Sequence, residues 1–134
     1  MPRILIADDE PSIVYLFKEF FKVKGFDVDT AENGFQAINK IKNYKYHLAV
    51  LDVKMGEKHG LEVLEEIIDR KLDLPVIICT AYKHLKQDVE LLARGRLDYD
   101  FVTKPPDLED FWEKSVSILK KHAIKTEVNS GSGI

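Results

Sequence analysis

Short apolar runs alternate with amphipathic stretches five times along the chain. The apolar runs are Ile4–Ala7, Phe26–Thr30, Leu48–Leu51, Val76–Cys79 and Phe101–Val102. Three of these runs are almost continuously apolar, which is typical of parallel strands that are covered on both faces. Each repeat is therefore predicted to begin with a β-strand, and the most apolar strands are predicted to lie inside the protein.

Between the apolar runs, hydrophobic residues recur at steps of three and four, the period of an amphipathic helix. Five helices are predicted, and their apolar positions are Ile13, Leu16, Phe17, Phe20 and Phe21; Ala37, Ile38 and Ile41; Leu61, Leu64, Ile67 and Ile68; Leu85, Val89 and Leu92; and Leu108, Phe111, Trp112, Val116 and Leu119. Gly25 is predicted to end the first helix in a left-handed cap, and Asn33 to cap the second. Strands that alternate with helices predict an open α/β sandwich with a parallel sheet and right-handed crossovers.

Composition and length narrow the possible functions. The chain has 134 residues, enough for one domain with a buried core, and its net charge of −3 argues against direct nucleic-acid binding. The single cysteine, Cys79, lies in an apolar run and is predicted to be a small core residue rather than a nucleophile. No stretch is long enough to span a bilayer, and Met1-Pro2-Arg3 leads directly into a strand, so we expect a cytoplasmic protein without membrane association.

The polar end of the chain differs from the rest. The helical periodicity is predicted to stop at about Lys121, and the sequence ends in Asn129-Ser130-Gly131-Ser132-Gly133-Ile134. This composition is typical of flexible segments. We therefore predict one domain over residues 1–121, followed by a flexible tail or linker remnant over residues 122–134.

Three carboxylates and one lysine stand where apolar runs end: Asp8 and Asp9 after the first, Asp52 after the third and Lys104 after the fifth. In the common strand order 2-1-3-4-5, the first and third strands flank the point where the order reverses, which is where open sheets bind ligands. This order is the one that brings the acids together. Clustered acids repel one another unless a cation offsets them. An acidic cluster beside a lysine therefore indicates a divalent-metal site that handles an anion, with phosphate favoured.

Each of these residues also has a purely structural explanation. One acid of the Asp8-Asp9 pair can cap the first helix, Asp52 can be a turn residue, and Lys104 can be a solvated surface charge. Thr80, at the end of the fourth run, can be a hydroxyl that backbone groups satisfy. Capping needs only one acid, so we favour metal ligation for the pair.

The motifs together resemble the signature of response-regulator receiver domains. They are Ile4-Leu5-Ile6-Ala7-Asp8-Asp9-Glu10, Asp52 after its strand, Thr80-Ala81 and Lys104-Pro105, in matching order and spacing over roughly residues 3–121. The resemblance implies a flavodoxin-like fold and a phosphoacceptor switch of two-component signalling. It implies that a histidine kinase or phosphotransfer protein phosphorylates Asp52, and that the domain then controls an output domain or effector that the sequence does not identify. Such a domain assists its own phosphorylation and dephosphorylation but is not otherwise an enzyme.

The resemblance also implies a Mg²⁺ site. Asp9 would bind Mg²⁺ directly and Asp8 directly or through water, with Asp52 and the backbone carbonyl of Lys54 as further ligands. This division is chemically reasonable because Mg²⁺ takes one or two carboxylates and keeps several waters.

A conformational switch is implied by the same resemblance. Thr80 would donate to a phosphoryl oxygen and move toward it, Lys104 would contact the phosphoryl group as a point charge, and Lys104-Pro105 is a candidate cis peptide. Phe101 matches the aromatic switch position, turning inward when Thr80 withdraws and repacking the surface of the fourth helix, fifth strand and fifth helix. Plain core packing of Phe101 remains the alternative.

Two positions near the acceptor bear on how long the phosphorylated state lasts. Lys54 and Tyr82 would flank the water that attacks the acyl phosphate, so we predict a comparatively long-lived phosphorylated state.

This chain departs from the family pattern at several positions. The departures are Gly56 at the usual proline, Leu97-Asp98 in place of Gly-Ala with Gly95 displaced upstream, and Pro106 in place of an aromatic residue. They predict a more mobile loop around Gly56 and altered connections on both sides of the fifth strand.

Three other function classes fit parts of the pattern. A phosphatase or phosphotransferase of the haloacid-dehalogenase type also uses an aspartyl phosphate, but it requires Asp-x-Asp-x-Thr where this chain has Asp9-Glu10-Pro11-Ser12. An FMN-binding flavodoxin needs a Ser/Thr/Gly-rich first loop to cradle phosphate. The loop after the first strand of this chain lacks that composition. A phosphorylation-independent scaffold has no reason to keep acids that repel one another.

The sequence also allows a homodimer. Charged residues near the predicted fourth helix form either the seam of a homodimer or a solvated face, and the weakness of exposed ion pairs favours the solvated face. These residues are Lys83, Lys86, Arg94, Asp98 and Asp100.

Overall fold

Five parallel strands form one sheet in the order β2-β1-β3-β4-β5, so the predicted fold class and strand order are confirmed. The structure is a computed structural model that describes residues 2–53 and 60–131, with side chains described as far as residue 123. The strands are β1 Arg3–Ala7, β2 Asp27–Ala31, β3 Leu48–Leu51, β4 Val76–Thr80 and β5 Tyr99–Thr103. The helices are α1 Pro11–Val23, α2 Gly34–Asn43, α3 Gly60–Asp69, α4 Lys86–Ala93 and α5 Leu108–Gly131, with a 3₁₀ turn at Lys83–Leu85 before α4.

Successive residues of the central strands face two different cores, one on each side of the sheet. Ile4 and Ile6 of β1 pack in the core with α1 and α5, whereas Leu5 and Ala7 pack in the core with α2, α3 and α4. Strands β3 and β4 are buried along their whole length, which explains their continuously apolar sequences. The edge strands β2 and β5 are only partly buried, so the apolar pattern placed their ends less accurately.

Aromatic side chains hold α1 against α5. Phe17 and Phe111 stack with their ring centroids 4.4 Å apart, and both are fully buried. Trp112 meets the edges of Phe20 and Phe26 at centroid distances of 5.9 Å and 6.2 Å. These contacts place α5 beside α1 on one face of the sheet.

Both predicted helix caps are present. Gly25 has a φ of +93°, its N–H donates to the carbonyl of Lys22 at 3.0 Å, and the N–H of Phe26 donates to the carbonyl of Phe21 at 3.0 Å. This pair of bonds is the Schellman arrangement that a left-handed residue allows. The Asn33 side chain accepts from the N–H of Gln36 at 2.9 Å and caps α2.

The last helix continues to Gly131, so helical structure does not stop at Lys121 as predicted. His122 is held at the end of the sheet opposite the acids: its Nδ1 lies 2.8 Å from Asp98 Oδ2 and its Nε2 lies 2.5 Å from Asp73 Oδ1. Such tertiary contacts are not visible in local composition. The division into a domain over 1–121 and a tail over 122–134 stays a prediction.

The same contact corrects one part of the dimer hypothesis. The Asp98 side chain is only 8% exposed because it packs against His122, so it is not part of an exposed charged seam. Lys83, Lys86 and Arg94 are exposed as expected. Gly95 takes a φ of +75° after α4, and the altered connections on both sides of β5 stay a prediction.

Two further predictions can be compared with the structure. Cys79 is 1% exposed, and burial raises the pKa of its thiol to about 12, as expected of a core residue rather than a nucleophile. Within the described part of the chain, no helix has the length and apolar composition needed to cross a membrane.

Candidate functional site

The carboxyl edge of the two central strands brings the predicted acids together. Strands β1 and β3 pair with Ala7 opposite Leu51, so that the next residues, Asp8 and Asp52, leave the sheet side by side. The N–H of Asp52 donates to the carbonyl of Ala7 at 3.0 Å, and the N–H of Asp8 to that of Ala31 at 3.1 Å. Both acids are buried, with only 3% and 4% of their surfaces exposed. Their positions are therefore fixed by the sheet itself.

Lys104 reaches the same point from the end of β5. Its Nζ lies 2.7 Å from Asp8 Oδ2, 2.9 Å from Asp52 Oδ2 and 2.8 Å from Glu10 Oε1, and its side chain is 6% exposed. Burial alone would lower the pKa of Lys104, but the contacts with the three carboxylates outweigh burial and raise it. Lys104 is therefore a permanent cation that offsets part of the acidic charge.

One lysine does not fully compensate the buried acids. Burial raises the pKa of Asp8, and the charge of Asp52 adds to that effect. Lys104 and the N–H of Glu10, which donates to Asp8 Oδ1 at 2.9 Å, lower it without cancelling the rise. The net rise is mainly an effect of burial. The excess of negative charge follows instead from the four carboxylates that cluster around Lys104.

The oxygens of this pocket suit a small divalent cation. Carboxylate oxygens of Asp8, Asp9, Glu10 and Asp52 lie within 4.8 Å of one another. Asp9 is exposed whereas Asp8 and Asp52 are buried, which leaves a solvent side for the waters that Mg²⁺ retains. The donor set therefore fits the ion that the resemblance implies. Lys54, the predicted carbonyl ligand, and Gly56 lie outside the described residues.

Thr80 lies beside Lys104 at the ends of β4 and β5. Its carbonyl accepts from the N–H of Lys104 at 2.8 Å, and its buried hydroxyl accepts from the N–H of Tyr82 at 3.2 Å. Accepting that bond does not use the hydroxyl's own hydrogen, which can still be donated. The Lys104-Pro105 peptide bond is cis, as predicted.

The predicted switch residue Phe101 is half-buried. It lies opposite Ile78 of β4 and packs against the core on the α3 and α4 side. Its carbonyl accepts from Lys114 Nζ of α5 at 3.1 Å. This position suits both a switch and plain packing, so the switching role of Phe101 stays a prediction.

The sequence-based hypothesis gave no role to two residues of the site. Glu10 follows the acidic pair and contacts Lys104; a third consecutive acid was the signal that could have identified it. Gly60 begins α3 and donates its N–H to the carbonyl of Val53 at 3.0 Å. A Cβ at Gly60 would lie 2.1 Å from the backbone oxygen of Asp52, and no local pattern in the sequence indicates so close an approach.

Comparison with known proteins places this chain in a family. The model of the response regulator receiver domain matches residues 4–115. The regulatory protein AtoC of Escherichia coli is 32% identical over 126 residues, which cover 94% of this chain and 27% of AtoC. The transcriptional regulatory protein PhoP of Bacillus subtilis, named for alkaline phosphatase synthesis, is 34% identical over 122 residues, covering 91% of this chain and 50% of PhoP. The chain thus spans about a quarter to a half of the length of these two relatives.

Solved structures agree with this match. The response regulator TrrA of Thermotoga maritima, in complex with Mg²⁺-BeF, is 38% identical with a TM-score of 0.78 over 88% of this chain and 99% of TrrA. A CheY-like receiver domain from Methanospirillum hungatei is 28% identical with a TM-score of 0.84 over 93% of this chain and 98% of that one. Sequence and fold lead to the same conclusion: this chain belongs to the response regulator receiver domain family.

Proposed function

We propose that this receiver domain is a phosphoacceptor switch in which Asp52 accepts a phosphoryl group from a histidine kinase or a phosphotransfer protein. The observation that carries the proposal is the position of Lys104 Nζ, 2.9 Å from Asp52 Oδ2 and 2.7 Å from Asp8 Oδ2. A buried carboxylate with a fixed cation beside it can receive an anionic group that it would otherwise repel. Family membership and the Mg²⁺-BeF complex of the relative TrrA support the same function.

In the proposed reaction, a carboxylate oxygen of Asp52 forms a bond to phosphorus while the bond from phosphorus to the donor's imidazole nitrogen breaks. The electron pair of that bond returns to the imidazole nitrogen. The other ring nitrogen of the phosphohistidine already carries a proton, so the donor leaves as a neutral imidazole, and the product is an acyl phosphate on Asp52. The ammonium of Lys104 and the hydroxyl of Thr80 donate hydrogen bonds to phosphoryl oxygens. Both donors lie at adjacent strand ends, joined by the bond between their backbones.

Asp8, Asp9 and Asp52 are the residues that would hold Mg²⁺, with the carbonyl of Lys54 as a further proposed ligand. When bound, the metal supplies positive charge that neutralises phosphoryl oxygens. Asp8 would present its carboxylate from a rigid position, because its backbone N–H and one carboxylate oxygen are already hydrogen-bonded. The exposed Asp9 would complete the site from the solvent side.

The phosphorylated domain is proposed to control an output domain or an effector through the surface formed by α4, β5 and α5. Thr80 and Phe101 would couple the site to that surface. Phe101 supports this role because it lies on β5, contacts the α3 and α4 side of the core and is tied through its carbonyl to α5. The family match favours this function over the haloacid-dehalogenase and flavodoxin alternatives.

The proposal predicts that a small-molecule phosphodonor with Mg²⁺ adds one phosphoryl group, stable in acid and labile in base. Intact-protein mass spectrometry measures the uptake. Asp52→Asn should abolish it, because an amide oxygen is a poor nucleophile toward phosphorus. Asp69→Asn, which changes an exposed acid at the far end of α3, should be labelled like the wild type.

Three outcomes would contradict the proposal. Equal labelling of Asp52→Asn would place the acceptor elsewhere. Failure of the wild type to take up phosphate would favour a phosphorylation-independent scaffold. Turnover of unrelated phosphomonoesters would favour a hydrolase.

The phosphorylated state is further proposed to be long-lived. Tyr82 lies two residues after Thr80, is 37% exposed and packs edge-on against His84 at a centroid distance of 5.8 Å. We propose that the ring of Tyr82 limits the approach of water to the acyl phosphate. We expect Tyr82→Ala and Lys54→Ala each to shorten the half-life of the acyl phosphate, measured as loss of the added mass after the donor is removed. Rapid loss in the wild type that is unchanged in both variants would contradict this expectation.

A further inference from the structure

Glu10 shares the ammonium group of Lys104 with the proposed acceptor. We propose that Glu10 is a positioning residue that competes with the incoming phosphoryl group for Lys104 and so weakens the binding of that group. This inference rests on the proposed function of Asp52. It goes further by giving a role to an acid outside the proposed metal ligands and phosphoryl contacts.

The donor capacity of Lys104 is filled in this structure. An ammonium group has three N–H donors, and Nζ has a carboxylate oxygen at 2.7 Å, 2.8 Å and 2.9 Å, from Asp8, Glu10 and Asp52 respectively. A phosphoryl group on Asp52 also needs a hydrogen bond from Lys104. One of the three existing contacts must therefore be given up when the phosphoryl group arrives.

Exposure decides which contact is released. The side chains of Asp8 and Asp52 are 4% and 5% exposed, whereas that of Glu10 is 53% exposed. Asp8 is a buried carboxylate, and Asp52 Oδ2 remains in the acyl phosphate as a buried carbonyl oxygen. Either oxygen would be left without its hydrogen bond inside the protein if Lys104 moved away, which costs more than returning a half-exposed carboxylate to water. Glu10 is therefore the partner that leaves Lys104.

Removal of Glu10 should change the affinity for the phosphoryl group in opposite directions, depending on whether Glu10 competes for Lys104 or only supports the site. If Glu10 only stabilised the site, its removal would weaken phosphoryl binding or leave it unchanged. Competition for Lys104 instead predicts that its removal strengthens phosphoryl binding. Glu10 also belongs to the carboxylate cluster, so its loss can weaken Mg²⁺ binding, and phosphoryl affinity has to be measured with Mg²⁺ at saturation.

The experiment uses beryllofluoride as the phosphoryl mimic, titrated at saturating Mg²⁺ and followed by ¹⁹F NMR. Glu10→Gln removes the charge, and Glu10→Asp keeps the charge but shortens the reach to Lys104. Both variants should bind beryllofluoride about twofold to fivefold more tightly than the wild type, the range expected for a half-exposed ion pair. Glu32→Gln is the matched control, since Glu32 is an exposed acid that lines the same cleft as Asp8 and Asp9. It should bind like the wild type.

The outcomes separate three explanations. Tighter binding by Glu10→Gln alone, or an equal gain in Glu32→Gln, would indicate general charge repulsion and overturn the inference. Weaker or unchanged binding by both Glu10 variants would overturn it as well, while leaving the proposed function in place if the wild type binds. A wild type that binds no beryllofluoride with Mg²⁺ would overturn the proposed function itself.

Discussion

Gly60→Ala is expected to lower the free energy of unfolding by about 3 kcal/mol, the upper part of the usual range for overpacking. The added Cβ would lie 2.1 Å from the backbone oxygen of Asp52 and 2.7 Å from the Cα of Val53. Both are backbone atoms, so no side-chain rotation relieves the clash, and the start of α3 must separate from the end of β3. Because this strand end carries Asp52, phosphoryl uptake should fall together with stability.

Urea unfolding followed by circular dichroism measures the effect. Gly95→Ala is the control: Gly95 has a φ of +75° but open space where its Cβ would lie, so it should cost only about 1 kcal/mol of backbone strain. If the two variants unfolded at the same urea concentration, close packing at Gly60 would not be the cause.

Lys104→Met should lower the free energy of unfolding at neutral pH by about 3 kcal/mol, because it leaves buried Asp8 and Asp52 without their cation. The loss should depend on pH. Burial already raises the pKa of Asp8, and Lys104 acts against that rise, so the pKa should rise further in the variant. A carboxyl group with a raised pKa binds its proton more tightly in the folded state, and stability then falls as pH rises through that folded pKa. The deficit should therefore be largest near pH 7 and shrink as the pH falls toward about 4.

Paired urea titrations of the wild type and the variant at about pH 7 and about pH 4.5, on either side of the expected shift, test this account. Lys86→Met, at an exposed lysine of α4, should change stability by no more than about 0.5 kcal/mol. Combining Asp8→Asn with Lys104→Met should recover part of the loss, since one of the uncompensated charges is then absent. A deficit of equal size at both pH values, with no recovery in the double variant, would refute the electrostatic explanation.

The sequence predicted best those features that burial imposes on local pattern. Strands β1, β3 and β4 are covered on both faces, so their apolar runs gave their positions closely. The edge strands β2 and β5 expose part of their surface and were placed less well. Asp8, Asp52 and Lys104 were brought together correctly because parallel topology carries strand ends to one edge.

What the sequence did not predict depends on contacts between distant segments. The length of α5 is associated with the pairing of His122 with Asp73 and Asp98 from two separate loops. The contact of Glu10 with Lys104 requires knowing which of several neighbouring acids reaches the ammonium group. The need for glycine at position 60 comes from the distance between two chain segments, which composition and periodicity do not encode.

Trp112 is the only tryptophan in the chain, and it lies between α1 and α5, in contact with Phe20 and Phe26. Lys24 Nζ lies 4.7 Å from the centroid of its ring. The intrinsic fluorescence of Trp112 therefore reports on the junction between α1 and α5. None of the aromatic and lysine side chains around Trp112 named here belongs to the acidic pocket. A substitution in the acidic pocket that leaves this emission unchanged can be separated spectroscopically from one that loosens the whole domain.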